Sequence, residues 1–76
     1  MAKANVKVEY GFKAALIGPA NMEGVISKAD FLQSVEVEYP SADGWEVVAR
    51  ESVPVAQGDT SIYLPYVTYH LVKVNG

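Results

Sequence analysis

The last third of the chain constrains the fold most, because its alternating residues are apolar or aromatic on both sides. Successive side chains of a β-strand point to opposite faces of a sheet, so a period of two separates them into two sets. Pro65 has no backbone N–H, which predicts that this end of the strand lies at a sheet edge or a bulge. The two sets within residues 62–74 are Ile62, Leu64, Tyr66 and Val72 on one face, and Tyr63, Val67, Tyr69 and Leu71 on the other.

Covering two apolar faces is difficult for a chain of 76 residues. A domain of this size buries only about 60% of the surface that its unfolded chain exposes. The sequence contains no cysteine, so neither a disulfide nor a thiolate metal site can add stability. Small domains without such links often gain stability by oligomerising. We therefore treat residues 1–76 as one small domain and expect it to have a partner.

The charge pattern argues against nucleic acid and membranes as that partner. The net charge is −3, and the six basic residues are scattered rather than clustered, whereas binding to phosphate backbones needs several of them together. No apolar segment follows Met1 as in a secretory signal, and the longest strictly apolar run, residues 14–17, is far too short to span a bilayer. The sequence thus predicts a cytoplasmic protein whose partner is another protein.

The first half of the chain predicts a strand followed by a helix. Apolar residues recur at every second position over residues 5–16, between charged residues, which is typical of a half-buried strand. Gly11 within it predicts a bend or a bulge. Residues 18–24 form a loop, and Ser27 followed by Asp30 resembles a capping box, so a helix is expected to start near Ser27.

Residues 34–39 allow two interpretations. Val35, Val37 and Tyr39 alternate with two glutamates, which is a strand pattern, and residues 40–44 would then be a hairpin loop. Alternatively the helix continues to about Tyr39, with Val35 and Tyr39 on one face. Pro40 ends the element in both cases. The residue pattern alone slightly favours the hairpin.

A further strand is expected from Glu46 to Val53, closing at Pro54. At residues 44–48, Gly-Trp-Glu-Val-Val, its start resembles a family of small uncharacterised bacterial domains. Those domains place a Gly-Trp-Glu-aliphatic-aliphatic segment at the start of a strand just after a helix, and their layout is strand, helix and two-stranded hairpin. The resemblance implies the longer helix and implies no activity.

The sequence predicts neither a catalytic residue nor a metal or cofactor site. His70 is the only histidine, and no second histidine or cysteine stands at a spacing that would bind a metal with it. A general base needs a nucleophile and an orienting carboxylate nearby, and no spacing selects them here. Glu36 and Glu38 fit the solvated face of an amphipathic element. We therefore do not expect an enzyme.

These elements together predict an α+β fold in which one helix packs on a twisted antiparallel sheet of three or four strands. The other face of the final strand would then have no cover within the chain. The residues expected to pack against the helix are Val6, Val8, Tyr10, Phe12, Trp45 and Val47.

Aromatic residues of the final strand are the candidate binding surface. Tyrosine is enriched at protein interfaces, because its ring is apolar and its hydroxyl remains satisfied. We expect self-association, as a homodimer or a larger assembly; Trp45 is a secondary binding candidate, although a core anchor is the simpler interpretation. The alternative is a binder of small ligands or single-stranded nucleic acid that stacks them on Tyr63, Tyr66 and Tyr69. The predicted interface residues are Tyr63, Tyr66, Val67, Tyr69 and Leu71.

Overall fold

The computed structural model describes residues 6–19, 21–58 and 61–75 and shows an α+β fold. Its elements follow in the order β1 (Lys7–Leu16), α1 (Lys28–Glu38), a short 3-10 turn (Ser41–Asp43), β2 (Trp45–Ala56) and β3 (Tyr63–Asn75). The three strands form one antiparallel sheet in the order β1-β3-β2. The predicted fold class is confirmed, and within the described residues the sheet has three strands with β3 in the centre.

Strand β1 confirms the predicted alternation but not the predicted irregularity at Gly11. Its pairing with β3 runs without interruption from Lys7 to Leu16, so the prediction of a bulge at Gly11 is wrong. The glycine is needed for a different reason, because the ring of Tyr39 lies directly over it. A Cβ at Gly11 would lie 2.3 Å from the Tyr39 Cε1 atom.

Helix α1 begins where the sequence predicts and then continues through the segment of two interpretations. The Ser27 side chain caps it by accepting a hydrogen bond from the Asp30 N–H at 3.1 Å. Phe31 and Val35, four residues apart, lie on its buried face, and the Tyr39 N–H donates to the Val35 carbonyl at 2.7 Å. The strand favoured for residues 34–39 is therefore wrong and the longer helix is correct, because packing of this face outweighs the strand preference of the valines.

Strand β2 starts at Trp45, one residue before the expected Glu46, and does not close at Pro54. It continues to Ala56, and Pro54 stands opposite Pro65 in the ladder with β3. A proline is tolerated there because β2 is an edge strand of the sheet formed by the described residues. The irregularity in the sheet is a β-bulge at Val48, between Val47 and Ala49.

The core is small and lies between α1 and one end of the sheet. Its buried residues are Phe31 and Val35 from the helix and Tyr69 and Leu71 from β3. The rings of Phe31 and Tyr69 meet edge to face, with their centroids 5.1 Å apart. An 11-residue helix is about 16 Å long, whereas a 13-residue strand reaches about 43 Å. The helix therefore covers less than half of the length of β3.

The helix packs on the opposite face of β1 from the one predicted. Gly11 pairs with Leu71 and Ala15 with Val67, so these two small residues lie on the helix side of β1. Their small size lets the helix and the Tyr39 ring approach the sheet closely. The predicted helix contacts of Val8, Tyr10 and Phe12 are therefore wrong, as is that of Val6, which precedes the strand and is exposed. Trp45 and Val47 do pack against the core, as predicted.

The molecule is long and thin. Its principal extents are 62 × 19 × 13 Å, and its radius of gyration is 16.3 Å, whereas a compact domain of this length has about 11 Å. The strands are much longer than α1, and β2 and β3 continue beyond the last β1 pair, Leu16 with Tyr66, as a two-stranded arm formed by residues 54–56 and 63–65.

Candidate interaction surface

The face of the sheet opposite α1, here called the open face, is apolar over most of its area. Antiparallel partners share a face, so the register assigns its members directly. No described element packs on it. Its most exposed members are Tyr10, with 79% of its surface accessible, and Phe12, with 63%. Its other exposed apolar residues are Val8, Val53, Val55, Tyr66 and Val74.

A polar pair lies near the middle of the open face. The His70 Nε2 atom is 3.0 Å from the Glu51 Oε1 atom, and Phe12 stands opposite His70 on β1. The bulge at Val48 makes this pair possible, because it shifts the alternation of β2 so that Glu51 faces the same side as His70. The sequence did not indicate Glu51 as the partner, since the bulge leaves no signal in the residue pattern.

This histidine and carboxylate do not constitute a catalytic site by themselves. Within the described residues, no hydroxyl is recorded as bonded to His70, and no group of three or more His, Cys, Asp or Glu side chains is placed to hold a metal ion. The chemistry open to the pair is a hydrogen bond that fixes the imidazole ring.

The structure places the five predicted interface residues in three different environments. Tyr66 lies on the open face and is exposed. Tyr69 and Leu71 are buried under α1, with Val67 half-buried beside them. Tyr63 is on the helix side of the sheet but beyond the end of the helix, where it is exposed. The five residues therefore do not form one surface.

The secondary candidate, Trp45, is half-buried on the helix side of the sheet. Its ring meets that of Tyr39 edge to face, with centroids 4.9 Å apart. Its contacts are those of a core anchor. The exposed aromatic residues that sequence reasoning missed are Tyr10 and Phe12. The available signal was the alternation of charged and apolar residues along β1, which marks its two faces without showing which one the helix covers.

The chain exposes more surface than a compact monomer of its mass. Its accessible surface is 5560 Å², whereas a folded monomer of 8.2 kDa exposes about 4500 Å². The difference of about 1000 Å² is close to the roughly 800 Å² that each partner buries in a typical stable interface. One interface of ordinary size would thus bring the exposed surface to the normal value.

Within the described part of the chain, no helix is both long and apolar enough to cross a membrane. Comparisons of the chain with family models, with curated proteins and with solved structures return no match. The resemblance at residues 44–48 to a family of small bacterial domains therefore stays a prediction.

Proposed function

We propose that this chain is a non-catalytic structural module that associates with a second copy of itself through the open face. The observation that carries the proposal is the apolar face of the sheet, which α1 does not cover and on which Tyr10 and Phe12 are exposed. Exposed apolar patches of this extent on small proteins mark interaction sites. The cytoplasmic location predicted from the sequence belongs to the same proposal.

A second copy is the partner that this face suits best in charge. The three charged residues of β1, which are Lys7, Glu9 and Lys13, all point to the helix side, since they alternate with Tyr10 and Phe12. Two copies could therefore meet across the open face without like charges of β1 facing each other. Most homo-oligomers are symmetric dimers in which one patch contacts itself.

The polar pair supports a symmetric arrangement. His70 and Glu51 lie near the middle of the face, with mainly apolar residues towards both ends and the exposed Glu46 opposite Val72. In a centred two-fold dimer the middle of the face meets its own copy, so polar groups would contact polar groups and apolar ends would contact apolar ends. Such a pair, buried in an apolar interface, would favour one register over others.

The stacking of nucleic acid on Tyr63, Tyr66 and Tyr69 gains no support from the geometry. Tyr63 and Tyr66 lie on opposite sides of the sheet, and Tyr69 is in the core. A stacking platform needs several exposed rings on one surface. Titration with single-stranded oligonucleotides at low salt is expected to leave the tyrosine fluorescence unchanged.

Replacing Tyr10 with Glu tests the proposal. Self-association would bury this side chain, and an unpaired carboxylate in an apolar interface costs several kcal/mol. The Tyr10→Glu variant should therefore sediment as a monomer at concentrations where the unmodified chain is dimeric. Val37→Glu is the matched control, because Val37 is an exposed apolar residue of α1, on the other side of the sheet. Equal association of the unmodified chain and both variants would contradict the proposal.

A further inference from the structure

A cleft lies on the helix side of the sheet, where α1 begins and the sheet continues beyond it. Its volume is about 340 Å³, near the lower end of the range of about 300–1000 Å³ for ligand sites. Aromatic and aliphatic side chains form its surface, among them Phe31, Tyr69, Val67, Ile17 and Pro65. Such a cleft can hold one aromatic ring or a short alkyl chain.

Two of the six basic residues of this acidic chain line the same cleft, Lys28 and Arg50. The Arg50 guanidinium carbon lies 5.2 Å from the centroid of the Tyr69 ring, which holds the cation over the apolar surface. In the described part of the chain neither cation has an ion pair or a hydrogen bond through its side chain. Their donors are thus available to a ligand.

The β-bulge at Val48 directs Arg50 into the cleft. In a regular strand, Arg50 and Val47 would point to opposite faces, which would place Arg50 on the open face. The extra residue turns Arg50 to the helix side, where it pairs with Tyr69 of β3. The same shift turns Glu51 away, and its carboxylate is bonded to His70 on the open face. The bulge therefore brings Arg50 into the cleft beside Lys28. Glu51 also lines the cleft, but its carboxylate is already bonded to His70.

We propose that this cleft binds a small apolar carboxylate, such as an arylalkanoate or a short fatty acid. The carboxylate would accept two parallel hydrogen bonds from the Arg50 guanidinium and interact with the Lys28 ammonium as a point charge. The positive end of the α1 dipole, which starts at Lys28, adds to the attraction. The apolar body would lie against Phe31 and Tyr69. This site is separate from the open face and does not depend on self-association.

NMR titration of the full chain with 3-phenylpropanoate tests the proposal, with the uncharged 3-phenylpropanamide as the comparison probe. The carboxylate is expected to give saturable shifts at Phe31, Arg50 and Tyr69 and to bind at least tenfold more tightly than the amide. Arg50→Gln should weaken binding of the carboxylate by about tenfold or more, the usual effect of losing a charge-assisted hydrogen bond. Lys7→Gln, which removes a cation at the far end of β1, should leave the affinity unchanged.

Three results would overturn the proposal. The carboxylate and the amide could bind equally, the shifts could fall outside the cleft, or no binding could occur up to the solubility limit. A Phe12→Ala variant separates this site from self-association, because Phe12 is on the opposite side of the sheet. If the variant loses dimerisation and keeps the affinity for 3-phenylpropanoate, the two sites are independent, as proposed. If binding of the probe appears only when the dimer dissociates, a second copy fills the cleft and the ligand proposal is wrong.

Discussion

Truncating Phe12 to Ala should weaken self-association strongly while leaving the fold of each chain intact. Phe12 is 63% exposed in the single chain, and the hydrogen bond from the Tyr39 hydroxyl is accepted by its backbone carbonyl, which remains in the variant. A Phe side chain buries about 200 Å² when fully covered. The part left to be buried by a partner is therefore about 130 Å², worth about 3 kcal/mol.

Because alanine keeps the Cβ, the substitution removes only part of this burial, and the free energy of association falls by roughly 2 kcal/mol for each chain. A symmetric dimer contains the residue twice, which brings the loss to about 4 kcal/mol and raises the dissociation constant about 1000-fold. The free energy of unfolding of the separated chain should change by less than about 1 kcal/mol, because the side chain is mostly in water there.

Sedimentation velocity over a dilution series measures the dissociation constant, and urea denaturation of the diluted chain measures the stability. Leu32→Ala is the control, because it also shortens an exposed apolar side chain, but on α1. The reasoning is refuted if Phe12→Ala changes the dissociation constant by less than about threefold, or if Leu32→Ala weakens association as much.

Three substitutions test the account of the fold. Gly11→Ala should lower the free energy of unfolding by about 1–3 kcal/mol, since its Cβ would collide with the Tyr39 ring; in urea denaturation, a Tyr39→Ala background should remove most of the effect. Phe31→Ala should lower the free energy of unfolding by about 3–5 kcal/mol, because this core side chain is only 1% exposed. Circular dichroism should then show loss of cooperative unfolding, whereas a cooperative transition within about 1 kcal/mol of the parent would contradict this core assignment. Ser27→Ala should lower the free energy of unfolding by about 1 kcal/mol, measured by thermal denaturation, because the Asp30 N–H loses its acceptor.

The fold class and most strand positions could be predicted because they depend on local alternation. The apolar and charged residues of β1 alternate so regularly that a half-buried strand of an antiparallel sheet could be predicted there. Which set faces the helix was not, because this depends on the close approach of α1 over Gly11 and Ala15. Residues 34–39 were misjudged for a related reason: β-branched valines favour strands locally, and the packing of Val35 decides otherwise.

The existence of an uncovered sheet face could be predicted from the sequence, but the residues that form it could not. The sequence indicated that one face of β3 would remain uncovered, and the structure has such a face, with Tyr66 on it. Tyr69 was assigned to the contact although it lies in the core, since alternation separates two faces without saying which is buried. The positions of Arg50 and Glu51 could not be derived, because a single-residue bulge reverses both.

The molar mass of the unmodified chain in solution tests the central claim most directly. Light scattering coupled to size-exclusion chromatography, over a series of concentrations, should give twice the 8.2 kDa mass of one chain, falling towards that mass on dilution. A constant 8.2 kDa at the highest soluble concentration would contradict the account, since the open face would then be stable in water without a second copy.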